Sequence, residues 1–442
     1  ASDMVWLETT TVIVNGKTYE VLYPKVYLKP GNMTLTAEGS LISADFLVSE
    51  TEETLENNAS ILGNTVVLKG NDVVNLGSIL GKDITLKAER DVTQQGLITG
   101  EDRAALTAGR DISMGNTILH GKNQDILNTT AGIAVKGKEG VLLVESGRDI
   151  HLTGATLAAL GEKGSMILSA GHNLTMDTDA LEARKNMTEN RDNYIRTYRK
   201  TETSDTLVAG KDIILAAGEH VSIRNAVIAS KNGAVTAAAK GDVTVANGYN
   251  EARDDYGLKY KEKGLLSSKT TAIRSHDEEK KASPAILSGD TVSILSGKDT
   301  HVSGSRIIAN HDVTVAAGGN TTITSIEERE VHDFEKKVRK SGLLGGGGFG
   351  FTIGSEKRKD RYEEAGISQK GSLLGSTEGN VSLSSRNAVT IESSDLAAGK
   401  NMTVTGKNIL VSGKDNAHTT KEDHEYKRSG LTVSLGGGLI ST

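Results

Sequence analysis

Gly81-Lys-Asp-Ile-Thr-Leu86 returns as Gly109-Arg-Asp-Ile-Ser-Met114 and Gly147-Arg-Asp-Ile-His-Leu152. It returns again as Gly171-His-Asn-Leu-Thr-Met176, Gly210-Lys-Asp-Ile-Ile-Leu215 and Gly399-Lys-Asn-Met-Thr-Val404. Each copy is a turn followed by an apolar-x-apolar alternation, the pattern of a short strand. Asp72, Asp91, Asp111 and Asp149 follow one another at steps of 19, 20 and 38, the last reading as two periods of 19. A fixed period near 20 with strand alternation predicts a solenoid, a parallel β-helix. A coil of about 20 residues at roughly 3.3 Å each has a perimeter of about 65 Å, room for three short strands and three turns. Gly, Asn and Asp at the corners supply the positive-φ positions such turns need. Ile84, Leu86, Ile112, Ile150 and Leu152 are expected to stand buried in columns along the axis, and the Asp of each phrase to cap one corner of every coil. About 15 coils at about 4.8 Å give a rod of roughly 70 Å.

The composition agrees with such a thin core. The 442 residues include 50 Gly, 3 Pro and no Cys, with a net charge of −6. No polyanion-binding excess is visible, and disulfides and thiolate metal sites are excluded. No run approaches 18 consecutive apolar residues, so no transmembrane helix is expected. No secretion signal opens the chain, so if the protein is exported the signal lies outside this sequence. The 15 aromatic residues avoid the repeat phrases. Trp6, Tyr19, Tyr23, Tyr27 and Phe46 lie near the start. The other ten, from Tyr194 to Tyr426, lie in charged segments that interrupt the array.

Three regions follow. Residues 1–30 form a β lead-in, in which Thr10–Val14, Asn15-Gly16 and Thr18–Leu22 read as a hairpin with a type I′ turn. Residues 31–180 carry the clearest array. Residues 181–442 carry array interrupted by inserts at about 181–205, 248–284, 326–376 and 414–442. Lys263-Gly-Leu-Leu266, Ser341-Gly-Leu-Leu344 and Ser429-Gly-Leu431 share a phrase, and Gly264, Gly342 and Gly430 lie 78 and 88 residues apart. The higher-order unit is therefore near 80 residues: two coils or so, then one excursion. Insert 326–376 reads as a long antiparallel hairpin, although Glu327–Lys340 is also compatible with a short helix. Its Gly-rich stretch ends in Phe349, Phe351 and Ile353, alternating with Gly350 and Thr352. The chain stops at Ser434–Thr442, partway through what reads as the same phrase, as expected of a segment of a longer protein.

Little of this is catalytic. Paired carboxylates on one β-helix face would suit a polysaccharide-cleaving enzyme, but an Asp that recurs at every phrase is a turn residue, and the array lacks aromatic sugar platforms. His276-Asp-Glu-Glu279, His332-Asp333 and Asp423-His-Glu425 lack the two-His helical spacing of a zinc hydrolase and read as solvated strand faces. Gly345–Gly348 has no following Lys-Ser/Thr, and Asn15-Gly-Lys-Thr18 lacks the upstream Gly, so neither is a phosphate loop. Gly-Gly-x-Gly-x-Asp calcium repeats are absent. The sequons at Asn32, Asn173 and Asn401 fall inside repeat phrases. No catalytic, cofactor or metal residue is named, and no nucleic-acid or small-molecule partner is expected. Insert 326–376 balances ten basic residues against nine acidic ones. Its apolar Leu343, Leu344, Phe349, Phe351 and Ile353 are the candidates for engaging a membrane or a partner sheet, since strands that enter lipid need apolar faces and satisfied backbones.

The phrases Gly109-Arg-Asp-Ile112, Ala131-Gly-Ile133, Gly140-Val-Leu-Leu143 and Gly147–Ala155 resemble filamentous-haemagglutinin-type repeats. Lys340–Leu344 through Gly350–Gly354 resembles the inserts of the second haemagglutinin block of contact-dependent growth inhibition exoproteins of the CdiA type, and Val5-Trp6 to Leu28 resembles the segment leading into it. The resemblance covers nearly the whole chain. It implies a right-handed parallel β-helix with antiparallel hairpin inserts, all-β. It also implies export from a Gram-negative cell through an outer-membrane two-partner secretion transporter, and residence outside the cell or on its surface. The expected role is non-enzymatic: a rod whose inserts help a C-terminal toxin across the outer membrane of a target bacterium. A passive filamentous adhesin stalk is the alternative.

Overall fold

The computed structural model describes residues 4–14, 17–27, 40–345 and 350–434. Among the described residues there is no helix. Met4–Val14 and Lys17–Tyr27 pair antiparallel, from Val14 opposite Lys17 to Met4 opposite Tyr27. The expected turn pair Asn15-Gly16 lies outside the described residues.

From Leu41 onward the chain winds into a parallel β-helix with three faces. Face A runs from Leu41–Ser43 to Asp395–Ala397, and face B from Phe46–Glu50 to Met402–Thr405. Face C runs from Thr54–Asn57 to Asn408–Ser412 and contains 12 strands. In the early coils a single strand such as Leu97–Ala108 serves both A and B. Among the described residues twelve coils, not 15, therefore make the rod, about 53 Å at roughly 4.8 Å per coil. Coils such as Gly132 to Thr156 and Leu373 to Asp395 are longer than 20 residues, and the Thr117–Thr129 hairpin takes up further chain.

The core is a stack of aliphatic columns. Ile84, Leu86, Ile112, Ile150 and Leu152 are all fully buried. Ile84 lies between Val66 and Ala104 on face B, whereas Ile150 lies between Ile112 and Leu174 on face C. No aromatic side chain is among the described core residues. Sheet pairing every 4.8 Å stacks like side chain on like, and flat, evenly sized Ile, Val and Leu fill such columns without gaps.

The repeat phrase does not mark one corner. Ile84, Ile213 and Met402 enter face B, whereas Ile112, Ile150 and Leu174 enter face C. The same phrase serves two corners because each is a turn that feeds a strand whose first residue points inward. At the B/C corner the aspartates form a ladder. Asp72 accepts the backbone N–H of Asp91, Asp91 that of Asp111, and Asp111 that of Asp149, each at 3.2 Å. Asp149 continues it to Asn173 at 3.0 Å. Arg90 and Arg148 brace the ladder from one coil on, with Nε 3.1 Å from Asp72 and Asp111. The 38-residue step is thus one coil and not two. It is lengthened by a small hairpin, Thr117–His120 with Asp125–Thr129.

The Arg148 hydrogen bond holds the Asp111 carboxyl below the usual range, with burial opposing it and the Asp149 N–H adding to it. A depressed folded-state pKa stabilises above the unfolded value and is lost as pH falls through the folded one. Asp111→Ala removes the acceptor for both partners. Because the Arg148 side chain is half exposed, the expected cost is about 1–2 kcal/mol. Urea titrations at pH 7 check this, and the gap from wild type should shrink towards pH 3.

Among the described residues, excursions leave the rod after face C and from alternate coils, four as hairpins and the last as the single strand Ala417–Ser434. They follow the face C strands of coils 4, 6, 8, 10 and 12: Ile112–Gly115, Leu174–Asp177, Val243–Ala246, Thr321–Thr324 and Asn408–Ser412. In coils 5, 7, 9 and 11 the same corner is closed by one residue with positive φ: Gly154, Asn225, Gly304 and Ser393.

Candidate functional site

The excursions after coils 6, 8, 10 and 12 assemble into one antiparallel side sheet, separate from the Thr117–Thr129 hairpin. Its seven strands are β1 (Ala180–Thr188), β2 (Tyr194–Glu202), β3 (Gly248–Lys263), β4 (Ser267–Ser283), β5 (Ile326–Gly345), β6 (Gly350–Lys370) and β7 (Ala417–Ser434), in that spatial order. The geometry is commensurate. A hairpin contributes two strands, about 9.6 Å of sheet, and the two coils between hairpins raise the rod by the same amount. Each new hairpin therefore arrives in register to pair with the last, which is why the sequence repeats near 80 residues. Glu327–Lys340 is strand, not helix, because β4 and β6 supply backbone partners along both of its edges. The 20 residues of β5 span roughly 65 Å.

Strands β3 to β7 reach one height, beyond the ends of β1 and β2. The shared Ser-Gly-Leu phrase lies at one height across the sheet: Ser268, Ser341, Ser355 and Ser429 pair in a row, and Gly342, Gly354 and Gly430 form the next. Glycine is required at Gly342, where φ is +108° and a Cβ would come within 2.2 Å of the Leu266 carbonyl. Beyond that row, Leu343, Ile353 and Leu431 stand opposite one another, and the Leu343 N–H donates to the Leu266 carbonyl at 2.9 Å. The result is an exposed aliphatic ridge: Leu265 is 99% exposed, Leu431 71%, Leu266 66% and Ile353 56%.

Of the five residues singled out in the sequence, Leu343 and Ile353 meet in this ridge. Leu344 is buried on the other face, opposite buried Thr352. The backbone of Phe351 pairs with Gly345 and Val433. Phe349 lies outside the described residues. Leu265, Leu266 and Leu431 were not singled out, although their shared Gly-Leu phrase was a usable signal.

Below the ridge the body of the sheet is a charge lattice. Lys359 reaches Asp423 at 3.5 Å and Glu335 and Glu425 at 3.9 Å. The histidines of the charged inserts are cross-strand partners: His276 of Asp255 at 2.6 Å, His424 of Asp360 at 2.8 Å, and His332 of Asp277. The His424 hydrogen bond holds the Asp360 carboxyl below its ordinary value, against desolvation and with help from Arg358. Among the described residues no group of three or more His, Cys, Asp or Glu is arranged to hold a metal ion. Nearer the rod, β1 to β5 curve around a cleft of about 750 Å³.

A rod of stacked coils, a Gly-Arg/Lys-Asp corner phrase and paired hairpins define a β-helical repeat protein. The hemagglutinin repeat model matches residues 186–339 and 353–441, more than half of the chain, which therefore belongs to that family. The chain is 29% identical over 395 residues to the tRNA nuclease CdiA of Escherichia coli strain STEC_O31, covering 86% of this chain and 12% of that protein. Over 185 residues it is 32% identical to the tRNA nuclease CdiA of Escherichia coli O6:K15:H31, covering 41% and 6%. Over 276 residues it is 27% identical to the tRNA nuclease CdiA-2 of Burkholderia pseudomallei strain 1026b, covering 60% and 9%. It is a CdiA-type filamentous haemagglutinin repeat region and spans no more than 12% of the length of these three relatives. No solved structure matches it.

Proposed function

We propose that this segment is the delivery block of a secreted contact-dependent growth inhibition effector. In this reading the protein leaves a Gram-negative cell through an outer-membrane two-partner secretion transporter. Its rod spaces the side sheet from the cell, and the aliphatic ridge engages the outer membrane of a target bacterium. Toxin activity of the kind the relatives' names carry resides elsewhere in the protein, and this segment is not an enzyme. Residues Leu343, Leu344, Phe349, Phe351 and Ile353 belong to the engaging insert, with Leu265, Leu266 and Leu431 beside them.

The single observation that carries the reading is the ridge itself. Five aliphatic side chains, Leu265, Leu266, Leu343, Ile353 and Leu431, stand exposed at the end of a charged sheet. Each leucine transferred from water to hydrocarbon contributes about 1.5–3 kcal/mol. The strands behind it are already hydrogen-bonded to neighbours, so few unpaired amides enter lipid with them. The test is Leu266→Asp with Ile353→Asp and Leu431→Asp in the full-length effector. Toxin entry into target cells is expected to fall at least tenfold while cell–cell attachment is unchanged. Entry at the wild-type rate would leave the passive adhesin stalk as the function.

A further inference from the structure

We infer that the cleft at the base of the side sheet is a binding site for an acidic polysaccharide, independent of the apolar ridge. It spans β1 to β5, about 19 Å across at the usual strand spacing, and its volume of about 750 Å³ suits an oligomer rather than a single ion. Its cations include Arg196, Lys280 and Arg329, which the strand register places on one face with Glu251, Asp255 and Glu278. Among the described residues none of the three pairs with a carboxylate. Two are held by aromatic rings instead: Arg196 lies 4.7 Å from the Tyr194 ring centre and Lys280 lies 4.1 Å from that of Tyr249. A cation stacked on a ring is oriented without being neutralised, so its charge is available to a ligand.

The acids in the same cleft decide the ligand class. Glu278 is engaged by Arg253 at 3.0 Å and Asp255 by His276 at 2.6 Å, and Glu251 stands beside them. Duplex DNA carries one charge per about 1.7 Å along its axis, which would set phosphates against these carboxylates. In a chain of net charge −6 no long-range attraction offsets that. A uronate-bearing glycan carries one anion per sugar, separated by neutral hydroxyls. Its carboxylates match the three open cations, and its hydroxyls donate to Glu251, Asp255 and Glu278. The mixed lining is thus complementary to sparse anions on a hydroxyl-rich chain.

The experiment is calorimetric titration of the 442-residue chain with polygalacturonate, with neutral dextran and with duplex DNA, at physiological salt. Arg196→Gln with Arg329→Gln empties the cleft of two exposed cations. Lys261→Gln with Lys357→Gln removes the same charge from the outer part of the sheet. Polygalacturonate is expected to bind, to lose at least tenfold in affinity in the cleft variant, and to bind the outer variant like wild type, with dextran silent. No binding of polygalacturonate, equal loss in both variants, equal binding of dextran, or tighter binding of DNA would each overturn the assignment. None of these outcomes depends on toxin entry, so the site stands or falls separately from the delivery reading.

Discussion

Ile150→Asp is expected to unfold the middle of the rod. Ile150 is fully buried between Ile112 and Leu174 in the face C column. A carboxylate there has no partner in an aliphatic stack, and the cost is at least ~4 kcal/mol. Each coil packs on its two neighbours, so the damage should stay near coils 4 to 6. Hydrogen exchange read coil by coil is the measurement. Protection should collapse around Ile112, Ile150 and Leu174 and persist around Val302, Val315 and Leu383. Uniform loss along the rod would mean that the array folds as one cooperative block, and unchanged exchange would mean that the column is not a core.

The second large effect is a pH dependence. Asp205 stands at the A-face corner, in a column otherwise made of small residues: Gly96, Ala131 and Ala155 on one side, Ala226, Ala285 and Ser305 on the other. It is fully buried. One carboxyl oxygen accepts the Ala155 N–H at 2.7 Å, and the other has no partner among the described residues. Burial, with smaller contributions from the charges of Asp177 and Asp179 and against the N–H groups of Ala155 and Gly154, pushes its pKa up to about 8. The folded state thus keeps a proton that the unfolded chain releases near pH 4. Stability from this group is full below the unfolded pKa, falls as pH rises, and levels off above about 8. The span is several kcal/mol, since each pKa unit is worth about 1.4 kcal/mol. Asp205→Asn keeps an acceptor for Ala155 and removes the ionisation. It should raise the urea midpoint at pH 8 far more than at pH 4.5; parallel pH profiles for variant and wild type would contradict the buried acid.

The β-helix was legible because its cause is local and periodic. The steps from Asp72 to Asp91 to Asp111 are the ladder itself, one carboxylate per coil. The same reading failed where one number has two origins. The 38 residues from Asp111 to Asp149 equal two periods, yet they are one coil carrying the Thr117–Thr129 hairpin. The coil number came out high because a period of 20 is short for coils such as Gly132 to Thr156 and Leu373 to Asp395. The hairpins were visible singly, but their union was not. Pairs such as His276 with Asp333 and Arg361 with Asp423 join segments far apart in sequence, and only the match between coil rise and strand spacing brings them together. Asp205 gave no signal at all, because Ser204-Asp205-Thr206 reads like any exposed turn and only the stacked corner buries it.

The chain contains no cysteine, so introduced pairs report geometry without competition. Ser268 and Ser341 belong to successive hairpins and stand opposite each other, with their hydroxyl oxygens 2.9 Å apart. Ser355 lies one strand further on, opposite Ser341. If rod and sheet rise together at two coils per hairpin, Ser268→Cys with Ser341→Cys should close a disulfide on mild oxidation, and Ser268→Cys with Ser355→Cys, about 9.6 Å away across two strand spacings, should remain reduced. Mass spectrometry of the oxidised chain under non-reducing conditions decides it. A free thiol pair at 268 and 341, or efficient closure at 268 and 355, would contradict the shared register of rod and side sheet on which the ridge and the cleft both depend.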